Sequence, residues 1–320
     1  MSDCIINKAF VEALEEKIPK KTLLADFVSE VLCMEKETAY RRLRGEVQFS
    51  LRETSLLASR LHISLDEIIA RGDENSQKKL CMQIPVDYLE KAQDVSLAED
   101  YIHYLEQFVQ EDYSEFGMAL SGIPFSLFFP YKLLTRFFIL KYVHHAGNSL
   151  ESVPFREIAE ANVKYTDDLD CLLKEITETC YIWDRMIIKL LVSDIKYSRS
   201  IRLMNDNEVG ELKKELHYFL NDLEQLASKG RYEETGNKFE LYISDAHIET
   251  SYACLSSPNR QMSLLSSFIF FMMSSQSNTS FTHINNWIKS LKRYSTLISS
   301  VGERERIMFF DQQREIIDTL

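Results

Sequence analysis

The chain has 320 residues but only 9 glycines and 6 prolines, and 45% of it is hydrophobic, with 19 Phe and 15 Tyr. That excludes collagenous and low-complexity chains, disfavours glycine-dependent all-β and phosphate-loop folds, and supplies enough apolar surface for a buried core. The formal net charge of −12 would repel polyphosphate if it were evenly spread, so any contact with nucleic acid has to be local.

The charge is not evenly spread. Residues 1–72 carry 11 basic and 12 acidic groups, leaving 26 basic and 37 acidic for residues 73–320. The acidity therefore belongs to the second part, and residues 71–79, without one apolar side chain, read as a linker.

In chain order, residues 28–34 read as the end of one helix and a turn, 36–44 as a second helix stopped by Gly45, 50–61 as a third and 64–69 as a fourth. Ser50-Leu-Arg-Glu53 and Ser64-Leu-Asp-Glu67 both have the form of a capping box, in which serine and glutamate satisfy orphan amides at a helix start. Gly45 suits the left-handed position that ends a helix.

After the linker, Ser96-Leu-Ala-Glu99 opens another helical pattern, and further helices are expected over 131–145, from Pro154, over 165–196 and over 205–228. Residues 238–244 and 248–255 alternate apolar and polar side chains and read as a β-hairpin. Helices return at 284–299 and 304–320, and the serines between 256 and 280 read as loop and helix surface.

Residues 28–69 resemble the helix-turn-helix domain of the Cro and lambda-repressor type (XRE-like). Ser29 stands at the family's small position, Cys33-Met34 fill the turn, Gly45 closes the recognition helix, and Leu57-Ala58, Leu61 and the run Ile63-Ser-Leu-Asp-Glu-Ile68 match its apolar ending. Three positions depart from the pattern. Cys33 replaces a usual glycine, Arg42 an apolar residue and Leu43 a polar one, which suggests a recognition helix rotated to bury Ala39 and Leu43.

The resemblance implies that this helix enters the major groove of double-stranded DNA. Lys36, Glu37, Thr38 and Arg41 are the candidates for base edges, and Tyr40, Arg44 and Gln48 for the backbone. Lys20 and Lys21, ahead of the preceding helix, are further phosphate contacts. Residues 36–44 hold four basic groups and one acid.

Elsewhere the seven histidines show no metal-ligand spacing, and neither a phosphate-binding glycine loop nor the glycine-flanked serine of self-cleaving repressors is present. No catalytic, cofactor or metal site is assigned. The aromatic residues at 125–142 and the run 268–273 read as core or as the lining of a ligand pocket. The scattered cysteines point to reduced thiols and a cytoplasmic protein, and no membrane span is expected.

The expected fold is mainly α: a lambda-repressor-like helical domain over 1–72, a linker over 73–87, and a larger, mostly helical module over 88–320 with a small β-hairpin near 238–255. The expected function is that of a dimeric, sequence-specific transcriptional regulator, not an enzyme. Its partners would be duplex DNA, a second copy of the chain and a small-molecule or peptide effector at the C-terminal module. The alternative is an adaptor or antitoxin-like protein that uses the same fold to bind protein.

Overall fold

The computed structural model describes residues 2–61, 63, 65, 68–69, 102, 105–146, 154–158, 166–266 and 272–320. The chain divides into two compact units, Met1–Cys81 and Met82–Leu320. The expected linker, and the expected capping boxes at 64–67 and 96–99, lie outside the described residues or largely so.

In the smaller unit, α1 (Ser2–Lys17), α2 (Lys21–Val31), α3 (Lys36–Leu43) and α4 (Leu51–Leu61) surround one core. Phe10 and Leu14 of α1, Leu24 and Val28 of α2, Ala39 of α3 and Leu57 of α4 are all fully or almost fully buried there. The ring of Phe49 meets Phe10 edge-on at 5.5 Å, while the Phe49 N–H donates to Asn7 Oδ1 at 3.1 Å, tying the loop before α4 back to α1. The Ser50–Glu53 box forms as its sequence indicates: Ser50 N–H donates to Glu53 Oε2 at 2.7 Å and Glu53 N–H to Ser50 Oγ at 3.3 Å.

A seven-stranded mixed sheet organises the larger unit, in the order β6-β5-β4-β1-β2-β3-β7. Its middle is parallel: β1 (Glu115–Leu120), β2 (Glu178–Asp184) and β3 (Lys238–Ser244) run side by side. Antiparallel β4 (Tyr252–Ser256), β5 (Gln261–Ser266) and β6 (Met272–Ser275) extend it beyond β1, and β7 (Ser295–Leu297) borders β3.

Helices α5 (Phe125–Phe128), α6 (Lys132–Ala146) and α7 (Thr166–Glu175) connect β1 to β2, with a 3₁₀ turn at Phe155–Glu157 after Pro154. Next, α8 (Ile187–Ser200) and α9 (Asp206–Lys229) connect β2 to β3, and α11 (Glu303–Asp318) closes the chain. Parallel neighbours need such crossovers, because a hairpin turn cannot reverse the chain twice.

One sheet face, bearing Phe116, Met118, Tyr181, Trp183, Phe239 and Leu241, packs on the crossover helices and α11. Helix α9 presents Val209, Leu212, Leu216, Phe219 and Leu223 to it at helical spacing, and its start carries the full Asn205–Glu208 capping box. The opposite face, with Ala119, Cys180, Ile182 and Cys254, is covered by α10 (Asn278–Arg293) through Ile284 and Ile288. Burying each of these isoleucines contributes about 1.5–3 kcal/mol.

This sheet overturns the expectation of a mainly α module with one small hairpin. The two strands expected to form the hairpin both exist, but β1 and β2 lie between them. β2 falls inside the stretch expected to be a single helix over 165–196, which divides into α7, β2 and α8. Its Cys-Tyr-Ile-Trp-Asp run is buried on both faces, so it shows a continuous apolar run rather than alternation. The serine-rich stretch after 256 contains β5 and β6, where Ser263 and Ser275 are buried. Phe128, Phe137 and Phe138 are core, with Phe128 and Phe138 stacked at 4.1 Å; residues 268–271 lie outside the described set. No helix among the described residues is long and apolar enough to cross a membrane.

Candidate functional site

The α2–α3 pair is held by its connecting turn. Cys33 has φ of +50°, the left-handed conformation that glycine adopts most readily. Ser29 stitches the turn to α2: its hydroxyl donates to the Met34 carbonyl at 2.6 Å and its own carbonyl accepts from Met34 N–H at 3.0 Å. At the other end of α3, Gly45 has φ of +76°, its N–H donates to the Arg42 carbonyl, and Glu46 N–H donates to the Arg41 carbonyl, both at 2.9 Å. This is the Schellman pattern, which satisfies the last helical carbonyls.

With Ala39 buried and Leu43 packed against the core, α3 shows solvent its Lys36, Glu37, Arg41 and Arg44, while Thr38 and Tyr40 are half-buried. Gln48 is exposed in the segment between α3 and α4, and Lys20 and Lys21 are exposed at the start of α2. Lys20, Lys21, Lys36, Arg41 and Arg44 are thus accessible cations of one small unit.

Arg42 is different. Its Nη2 donates to Glu53 Oε1 at 2.8 Å, and both side chains are more than four-fifths buried. Here an ion pair takes the place of the apolar contact expected at this position. Burial opposes ionisation of Glu53, yet the hydrogen bonds from Ser50 and Arg42 hold its carboxyl below the ordinary glutamate value. The pair couples the end of α3 to the first turn of α4, and it removes Arg42 from the outward cations.

The remaining cations also have carboxylate neighbours that counting along α3 does not include. Lys36 pairs with Asp26 of α2, whose hydrogen bond and charge raise the lysine pKa. Arg44 donates from Nη2 to Glu37 at 3.1 Å and from Nε to Glu46 at 2.7 Å, Arg41 donates from Nε to Glu46 at 3.3 Å, and Lys21 lies 3.7 Å from Glu15. The surface is therefore an alternation of both signs rather than a net +3 stripe. Exposed pairs of this kind contribute about 0–1 kcal/mol each, so a phosphate or base edge can replace the carboxylate at small cost.

A second polar cluster, with no signature in the sequence, sits at the carboxyl ends of the parallel strands. Asp184 ends β2 and is buried; its Oδ1 accepts from Met186 N–H at 2.7 Å, and its Oδ2 accepts from Ile248 N–H at 2.8 Å and from His247 Nδ1 at 2.5 Å. Against a carboxylate acceptor, Nδ1 must carry the proton. One strand over, the Ser251 hydroxyl accepts from Ser121 N–H at 3.1 Å, and Arg185 grips Asp245 through Nε and Nη2.

Apart from the Met186 bond, which closes the turn after β2, these contacts secure one loop, 245–251, which leaves β3, crosses the end of β2 and enters β4 beside β1. In open α/β sheets the crevice outside the carboxyl ends of the strands is where ligands bind. In this chain that edge is spanned by the protein's own loop, and Asp184 is its pin. Among the described residues no group of three or more His, Cys, Asp and Glu side chains could hold a metal ion.

Neither family models, nor curated proteins, nor solved structures match the chain. The site's chemistry therefore rests on its own geometry.

On the α10 face, Cys180 and Cys254 lie in register with Gly117 from opposite sides. Two strand spacings, about 9.6 Å, separate them, too far for a disulfide. Burial pushes both thiols up to about 12, so neither supplies a thiolate near neutrality. Beside Cys180, Lys292 of α10 pairs with Glu240 and lies 4.9 Å over the Tyr242 ring. Burial opposes the charge on Glu240, but hydrogen bonds from Lys292 and Lys238 keep its carboxyl below the ordinary value. This arrangement fastens α10 to β3.

Proposed function

We propose that the chain is a sequence-specific DNA-binding transcriptional regulator of the Cro and lambda-repressor type. It acts as a homodimer whose larger unit holds the two copies together and responds to a small-molecule or peptide effector. The observation that carries this reading is the outward face of α3. Lys36, Glu37, Arg41 and Arg44 project from a helix anchored by Ala39 and Leu43, at the end of a turn stitched by Ser29 and Cys33. Such a helix fits the major groove, with arginine offering a fork to guanine and lysine a point charge to phosphate. One small unit makes few phosphate contacts, so affinity calls for two recognition helices about 34 Å apart on a near-palindromic site.

The test is a titration of the full chain against duplexes selected from a random library, read by fluorescence anisotropy over a salt series. If Lys20, Lys21 and Arg44 each neutralise one phosphate, log affinity falls with log salt at a slope of about −3 per copy. Arg44→Ala should weaken binding to all duplexes alike and flatten the slope by about 1, whereas Arg41→Ala should relax base preference at one position with little change in slope. Absence of saturable duplex binding at low salt, or an unchanged slope in Arg44→Ala together with an unchanged base preference in Arg41→Ala, refutes the assignment.

A second reading is favoured by the carboxylates around the same cations. With Asp26, Glu37 and Glu46 paired to Lys36, Arg41 and Arg44, the face is close to neutral and suits a protein partner. That reading predicts a complex that requires α3 and whose affinity barely changes with salt.

A further inference from the structure

We infer that Glu46 is a positioning residue that aims Arg41 at a guanine of the bound duplex; the inference rests on the DNA-binding reading above. The Glu46 backbone is fixed relative to Arg41, because the left-handed turn at Gly45 brings Glu46 N–H onto the Arg41 carbonyl at 2.9 Å and Val47 N–H onto the same oxygen at 3.4 Å. From that fixed point the carboxylate divides its oxygens. Oε2 accepts from Arg41 Nε at 3.3 Å and Oε1 from Arg44 Nε at 2.7 Å.

The choice of nitrogen matters. Held by Nε, the Arg41 guanidinium keeps both terminal Nη groups without a partner among the described residues, and the side chain is 55% exposed. Two parallel N–H donors on one edge are what the O6 and N7 acceptors of guanine require. Arg44 is not equivalent, since Glu37 already occupies its Nη2. Of the two arginines bridged by Glu46, Arg41 is the base reader and Arg44 the flank. Arginine is a long side chain whose rotamers must be frozen on binding, and a partner that holds it beforehand improves discrimination by about three- to tenfold.

The experiment selects bound sequences from a random duplex library with the full chain and then measures affinities for the selected site and for the site with the guanine replaced. Arg41→Ala should erase the guanine preference at one position of each half-site. Glu46→Ala should lower the preference for guanine at that position about three- to tenfold, without weakening binding to a duplex of A·T pairs alone. In an Arg41→Ala background it should change base preference no further, an outcome a merely structural role would not produce. An undiminished guanine preference in Glu46→Ala overturns the inference. So does equal tightening on every duplex, which would make Glu46 a charge mask. Failure of the unaltered chain to bind any duplex overturns the DNA-binding reading itself.

Discussion

Replacing Asp184 by Ala should release the 245–251 loop and destabilise the larger unit by about 3–5 kcal/mol. Asp184 is 2% exposed, and its two oxygens accept backbone N–H groups from Met186 at 2.7 Å and Ile248 at 2.8 Å as well as His247 Nδ1. Alanine removes both acceptor oxygens, whereas the single oxygen of Asn at the Oδ2 position would keep both loop contacts. The Met186 and Ile248 amides left without partners cost about 1–3 kcal/mol each. Urea unfolding followed by tryptophan fluorescence suits this measurement, because both tryptophans, Trp183 and Trp287, lie in the larger unit and Trp183 adjoins the substitution. Hydrogen exchange at Ile248 localises the effect. His247→Ala, removing a partner whose own side chain is 60% exposed, should cost about 1 kcal/mol or less. A loss below about 1 kcal/mol in the Ala variant, or an Ile248 amide as protected as before, would refute the assignment of Asp184 as the pin of the loop.

Three further outcomes follow from the same geometry. Because the Glu53 carboxyl sits below the ordinary glutamate value in the folded chain, its contribution is complete above that ordinary value. It is lost as the pH falls through the lower folded value; a Glu53→Gln variant should be less stable at pH 7 and lose less on acidification, as circular dichroism titrations would record. Cys33 and Cys171 are exposed whereas Cys180 and Cys254 are buried with raised pKa values; alkylation at pH 8 followed by peptide mass analysis should label the first pair within minutes and the second only in denaturant. Gly230 ends α9 with φ of +65°, and a Cβ there would fall 1.7 Å from Ser300 Oγ; Gly230→Ala should cost about 2 kcal/mol or more, and adding Ser300→Gly should restore the part due to overlap, measured by thermal unfolding.

Elements whose cause is local were readable from the chain. The start of α9 is specified within four residues by Asn205 and Glu208, and the end of α3 by Gly45. The sheet was not readable, because its strands depend on neighbours far away. β2 is buried on both faces and has the same apolar run as a helix segment, so periodicity does not separate the two. β3 and β4 carry correct strand patterns, but nearby strands usually pair, and nothing in residues 245–251 announces that the loop passes over two other strands.

At the α2–α3 face the residue types were legible and their electrostatics were not. Counting charge along the helix omits Asp26, Glu46 and Glu53, which reach it from α2, from the following turn and from α4. Asp184 and His247 are 63 positions apart and meet only because β2 and β3 end side by side.

The strand order also imposes a timetable on synthesis. β1 is complete at Leu120, yet its two neighbours are β2, which ends at Asp184, and β4, which ends at Ser256. At about 5–20 residues per second, the ribosome needs roughly seven to twenty-seven seconds to supply the second of them. For that interval the strand destined for the centre of the sheet has an open edge able to capture another nascent chain, whereas α1–α4 of the smaller unit, which share one core, are already out of the tunnel.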